Sequence, residues 1–187
     1  AIMAVRSITN MGARLSIVLA IICLAFAGGA SAADAADDAA AARLAAQVID
    51  QTGVSGGLVV HLGCGEGKLI AALGASAGYL VQGLDSDQKN VDRARQHVQL
   101  RGLYGRVTAD RLVGSRLPYI DNLVNLVVAE DLGRVSPEEV IRVLCPEGTA
   151  YVKKNGQWTK TVKPRPAEID DWSHYLHDSS NNAVAHD

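Results

Sequence analysis

Val59-Val60-His61-Leu62-Gly63-Cys64-Gly65-Glu66-Gly67, followed further on by Gly83-Leu84-Asp85, is the stretch whose reading decides the fold of this chain. Its first residues read as a buried strand, its glycines as a tight turn opening a helix, and the second stretch as another strand ending on a carboxylate. A nucleotide-type ligand needs these parts: backbone that can approach closely where Cβ atoms are missing, a helix N-terminus, and an acid for ribose hydroxyls. The arrangement predicts a cofactor cleft. A dinucleotide fold would ask for Gly-x-Gly-x-x-Gly or Ala, so that a helix can pack closely beside a pyrophosphate. The position of that third small residue is Lys68, which disfavours a nicotinamide dinucleotide dehydrogenase.

The pattern Gly-x-Gly-x-Gly, with an apolar strand before it and an acid after it, resembles motif I of the class I S-adenosylmethionine-dependent methyltransferases. Four further segments resemble the same family in its order. They are Asp85 at the end of the second strand, Arg106-Val107-Thr108-Ala109-Asp110, the run from Leu117-Pro118-Tyr119 to Val127-Val128, and Glu138-Glu139-Val140-Ile141-Arg142-Val143-Leu144-Cys145-Pro146-Glu147-Gly148. The resemblance covers roughly residues 56–153. It implies an α/β fold with a doubly wound, Rossmann-like, mostly parallel sheet, and S-adenosyl-L-methionine as cofactor.

Carried over residue by residue, the resemblance gives Gly63, Cys64, Gly65 and Gly67 to the methionine moiety and Asp85 to the ribose hydroxyls, with Ser86 beside it. It gives Asp110 to the adenine amino group. Glu130 and Asp131 stand where the family places acceptor-facing residues, with solvated acids as the plain alternative. Methyl transfer asks mainly for alignment of nucleophile, methyl and sulfur, so no catalytic residue is assigned. Three departures weaken the pattern: His61 stands where the family carries the acid that helps hold the cofactor's ammonium, Asn125 replaces a strand-four acid, and Glu147 replaces a turn glycine.

Around this core the 187-residue chain alternates apolar runs with helical patterns. Strands are predicted over 58–62, 79–84, 106–109, 123–129 and 149–152. Ser86 or Asp87 caps one helix, and Ser136-Pro137-Glu138-Glu139 opens another. After Lys153 the family pattern fails, and the sheet is expected to lack its last two strands. The segment over 154–187 is read as a linker leading into a following domain. It resembles the junction in large exported bacterial proteins where a methyltransferase-like domain precedes a β-propeller of the pyrroloquinoline quinone enzyme type, which makes this chain a fragment with an intramolecular propeller as partner.

At the other end, Arg6 and Arg14 precede an apolar stretch that closes on Gly28-Gly29-Ala30-Ser31-Ala32, a signal peptide over 1–32 with cleavage after Ala32. The expected product is exported, with no membrane span after cleavage; an uncleaved anchor is the alternative. Residues 33–55 are read as an N-terminal helix over the cleft or a spacer.

Removing 1–32 leaves 16 basic against 20 acidic residues, a balance that gives nucleic acid no footprint. Cys64 and Cys145 are predicted at opposite ends of the strands, too far apart for a disulfide, and neither has neighbours at zinc spacing. His174, His177 and Asp178, with His186 and Asp187, are the one cluster of metal-ligand character; the preferred reading is a linker, with no metal. Trp158 and Trp172 suit an interdomain contact. Two functions follow: a methyltransferase acting on a small molecule or protein side chain, or a non-catalytic module that keeps the fold.

Overall fold

The computed structural model describes residues 32–166. Residues 1–31 of the stretch read as a signal peptide, the His174–His177–Asp178 cluster, His186, Asp187 and Trp172 lie outside the described residues. By its internal packing the chain divides after Ala36, and the unit from Asp37 onward carries the sheet.

In chain order the elements are α1 (Ala32–Thr52), β1 (Gly57–Leu62), α2 (Lys68–Leu73), β2 (Tyr79–Asp85), α3 (Gln88–Leu100), β3 (Val107–Arg111), β4 (Val124–Ala129), α4 (Pro137–Val143), β5 (Leu144–Lys154) and β6 (Gln157–Val162). The six strands form one sheet in the order β3-β2-β1-β4-β5-β6. The first five run parallel, with Val59 opposite both Val81 and Leu126, and β6 pairs antiparallel with β5. This is the doubly wound, mostly parallel α/β fold that the alternation of strands and helices predicts. The order reverses between β1 and β4, and the crevice outside the carboxyl ends of those strands is where such sheets bind ligands.

The period-2 alternation of the strands explains the layers. Val59, Val81, Val107, Leu126 and Val128 face one side, where they pack with Val48 of α1, Ile70 and Leu73 of α2, and Val91 and Val98 of α3. Val60, Leu62, Leu84, Val127 and Ala129 face the other, against Val140 and Val143 of α4 and Leu117. Both faces are covered, so the strands read as nearly continuous apolar runs. The helix starts follow the sequence: the Asp87 carboxylate accepts from the Lys89 N–H at 2.9 Å, and Ser136 accepts from the Glu139 N–H at 3.2 Å with Pro137 in the first turn.

One detail differs from what the sequence predicts. Beyond Lys154 the chain does not leave the sheet; it doubles back through Asn155 and Gly156, at φ 51° and 81°, into β6. Two consecutive left-handed residues make the tight hairpin turn whose twist matches that of the flanking strands. Trp158 is correspondingly placed inside the domain, where its ring stacks on Tyr151 at 4.9 Å and the planes are within 3° of parallel. Lys160 reaches from β6 to the free carbonyls of Gln51 and Thr52 at the end of α1, at 3.2 and 2.9 Å. A cation there satisfies backbone acceptors that the helix leaves open.

Among the described residues no helix is long and apolar enough to cross a membrane. Cys64 and Cys145 are both free thiols.

Candidate functional site: the glycine turn at the carboxyl ends of the central strands

β1 delivers Leu62 to the carboxyl edge of the sheet, and the backbone then turns through Gly63, Gly65 and Gly67 at φ 74°, 53° and 81°. Side chains other than glycine rarely adopt this region, so the turn depends on those three residues. A Cβ at Gly67 would stand 2.8 Å from the Cα of Ala94, which is why α3 can lie against the turn. At Gly63 and Gly65 the space a Cβ would take is open.

The turn is held from beside it. Gly63 and Cys64 both donate to the Leu84 carbonyl, at 2.8 and 3.2 Å. The buried carboxylate of Asp85 accepts from the Gly65 N–H at 3.0 Å, the Asn90 side-chain amide at 3.1 Å and the Asp87 N–H at 2.9 Å. Asp85 therefore ties the glycine turn to the start of α3.

Two clefts open on either side of Gly63, which lines both. The larger, about 540 Å³, is walled by Asp85 and Ser86 after β2, Leu112 after β3, and Leu132 and Arg134 after β4. The smaller, about 390 Å³, is walled by His61, Cys64 and Glu130 from the sheet and by Leu44 of α1. Helix α1 is fastened there by Asp37 to Lys68 at 2.9 Å, and away from the cleft by Asp38 to Arg101.

Of the residues read from the sequence, Gly63, Asp85, Ser86 and Asp131 meet in the larger cleft, and His61, Gly63, Cys64 and Glu130 meet in the smaller. Gly65 and Gly67 shape the turn without lining either. Asp110 is not among the residues lining these clefts: its carboxylate accepts from Gln82 at 2.8 Å and Arg95 at 2.6 Å at the sheet edge. Leu112 is brought to the larger cleft instead, through its N–H to the Asp85 carbonyl at 2.9 Å. That bond continues the parallel pairing of β2 with β3 by one residue beyond Arg111. Asn125 braces two strands, because its side-chain oxygen accepts from the Leu58 N–H at 2.9 Å.

The electrostatics of the smaller cleft are set by burial. His61 is held down to about 4, chiefly by loss of water, with Glu130 and Asp85 opposing, so its imidazole is neutral at neutral pH. Burial pushes the Cys64 thiol up to about 12, with the Asp85 charge adding to it, so it is protonated and no nucleophile. Glu130 is exposed and paired with Lys153 at 3.1 Å.

Residues 59–156 match the methyltransferase-domain family, more than half of the chain. This protein belongs to that family. A methyltransferase of Streptomyces halstedii, GfsG, is 32% identical over 113 residues, which is 57% of this chain and 41% of that protein. The chain spans less than half the length of the curated relatives it matches. Among solved structures, the [4+2]-cyclase SpnF superposes with a TM-score of 0.54 at 29% identity, over 59% of this chain and 43% of that one. The geranyl diphosphate C-methyltransferase of Streptomyces coelicolor, solved with S-adenosyl-L-homocysteine, gives 0.54 at 19%, over 59% and 44%. That second likeness is one of fold.

The residues of this methyltransferase-family domain fit the adenosyl cofactor. Gly63 lines both clefts with open space where a Cβ would stand, and the buried ring of His61 lines the smaller cleft beside it.

Proposed function

We propose that the chain binds S-adenosylmethionine across the carboxyl ends of β1, β2 and β4 and transfers its methyl group to an acceptor that is a small molecule or a protein side chain. The observation that carries the reading is the pair of clefts meeting at Gly63, one bounded by the strand-end acid Asp85 and the other by His61 and Glu130. The adenosyl part belongs in the larger cleft between Ser86 and Leu112, and the amino-acid part in the smaller one under α1. Bound there, the cofactor supplies an electrophilic methyl on a good leaving group.

The chain's own work is alignment, which brings reacting atoms into contact at fixed geometry and removes most of the entropic barrier. A carboxylate has about four lone-pair positions, and three at Asp85 are taken by protein donors. One position remains for a ribose hydroxyl without release of the turn. Ala40, Ala41 and Leu44 of α1 give the smaller cleft an apolar wall.

Calorimetric titration of the full chain with S-adenosylhomocysteine tests the reading: saturable binding in the micromolar range is expected, and its absence removes the proposal. One observation favours a second reading, a module that keeps the fold and binds without transferring methyl. Glu130 is engaged by Lys153, and the cleft's buried titratable groups are an imidazole held near 4 and a protonated thiol, so its buried groups are poor proton acceptors. Cofactor binding with no methyl transfer to any amine, hydroxyl or thiol acceptor would support it.

A further inference from the structure

The larger cleft is lined by two exposed arginines, Arg111 at the end of β3 and Arg134 in the turn after β4. Arg111 donates from Nε to the Ser86 carbonyl at 3.3 Å, and among the described residues neither guanidinium has a carboxylate partner. Elsewhere on the domain Arg93, Arg95, Arg101 and Arg142 each pair with one. The two acids lining the same cleft are engaged locally: Asp85 accepts from three protein donors, and Asp131 accepts from the Gly133 N–H at 3.0 Å. A guanidinium is a planar fork of N–H donors that fits a carboxylate with two parallel bonds, so an unpaired one in a cleft suits an anionic ligand.

We propose that the methyl acceptor is a small carboxylic acid, drawn to the larger cleft by its two arginines, held as the carboxylate by Arg134 and methylated on oxygen. The inference deepens the cofactor reading above and rests on it. A cofactor that crosses Gly63, with its adenosyl part beside Ser86 and Leu112, leaves the β4 wall with Arg134 for the acceptor, and Arg111 adds positive potential from the β3 end. A lone pair of one carboxylate oxygen forms the bond to the methyl carbon while the carbon–sulfur bond breaks, and the electron pair of that bond stays on sulfur. The products are a methyl ester and a neutral thioether, and no proton is released. An amine, hydroxyl or thiol acceptor has to lose one, and the buried groups beside Gly63 are poor acceptors, with His61 held near 4 and the Cys64 thiol pushed up to about 12. A carboxylic acid is already ionised at neutral pH and asks for no base.

The test takes the full 187-residue chain through two measurements, with succinate and benzoate as probes. The first is calorimetric titration of the chain saturated with S-adenosylhomocysteine. Each acid is expected to bind in the millimolar range, the strength of one charge-assisted fork, and Arg134→Gln should weaken it about tenfold while changing S-adenosylhomocysteine affinity by less than about twofold. The second is incubation with methyl-labelled S-adenosylmethionine and each acid at roughly 50 mM, enough to occupy such a site. Label is expected as a methyl ester that mild base releases as methanol, at a rate nearly constant between about pH 6 and 8, where the acceptor stays ionised. Ester formation would also remove the non-catalytic module. Absence of ester overturns the inference whether or not the acids bind, and so does equal binding of the acids by Arg134→Gln and the unaltered chain. Label that survives base when amines, hydroxyls or thiols are offered overturns it too. Each of these results leaves the cofactor reading standing while S-adenosylhomocysteine binds, whereas its failure to bind removes that reading and this one together.

Discussion

The carboxylate of Asp85 accepts the backbone N–H of Gly65 at 3.0 Å, so the acid at the end of β2 and the turn at the end of β1 form one unit. The strand-end acid thus has a structural role in the protein itself, alongside any ligand. Asp85→Asn keeps the size but replaces one accepting oxygen with a donating amide that must face N–H groups. We expect a loss of roughly 1–3 kcal/mol in urea unfolding, together with a fall in S-adenosylhomocysteine affinity. A variant that loses the ligand with its stability unchanged would show that Asp85 does not clamp the turn.

Gly83 sits inside β2 where a strand would ordinarily carry a β-branched residue. A Cβ there would lie 2.7 Å from the Cβ of Cys64 and 2.9 Å from Cδ1 of Ile70. Gly83→Ala is expected to cost roughly 1–3 kcal/mol by overpacking, measured by denaturant midpoint. The Ile70 contact is with the tip of a flexible side chain, so adding Ile70→Val should recover part of that loss. No recovery would place the whole strain at Cys64.

How much of the molecule is legible in its sequence depends on the kind of signal. The five parallel strands and the caps of α3 and α4 are legible because each rests on local chemistry: apolar runs, Asp87, and Ser136 followed by Pro137. The turn and its acid are legible because only glycine readily tolerates those backbone angles. Family position puts Asp110 at the cofactor, yet the alternation of β3 sends its side chain to Gln82 and Arg95. His61 is legible as a departure, but its buried Nδ1, unpartnered among the described residues, depends on tertiary surroundings that no local pattern encodes.

β6 is the instructive miss. Its signal, Asn155-Gly156 between two runs of strand-forming residues, is a strong short-range hairpin signature, and the prolines of Lys163-Pro164-Arg165-Pro166 mask it by suggesting a linker. Those prolines fall after the strand has ended at Val162.

The hairpin yields its own expectation. Gly156 at φ 81° cannot be replaced by a β-branched residue without strain, and Trp158 adds its stacking on Tyr151 to the area it buries. Gly156→Val should cost roughly 1–2 kcal/mol, and Trp158→Ala about 1–3 kcal/mol, both read from thermal unfolding. If neither variant moves the transition, β6 does not contribute to the stability of the domain.

Acid should weaken the protein in two separable steps, and the signs follow from where each proton binds more tightly. His61 has its folded value held near 4 against an ordinary 6.5. Between those values the unfolded chain takes up the proton and the folded one does not, so stability falls as pH drops from 6.5 toward 4, by up to about 3 kcal/mol. Glu139 is drawn down to about 2 from 4.5, first by its hydrogen bond to Arg142, which in turn holds the carbonyl of Tyr119 at 2.9 Å. Its contribution is present above 4.5 and is lost as pH falls from there toward 2. Urea midpoints measured from pH 7 to 3 should therefore show a decline that begins below 6.5 and continues below 4.5. His61→Phe should shrink the upper part to the share of His97, whose value burial also lowers, and leave the lower part, while Glu139→Gln should do the reverse. A His61→Phe profile that declines between 6.5 and 4.5 as steeply as the unaltered chain would mean that His97 or another group carries the upper step and that the buried His61 imidazole does not.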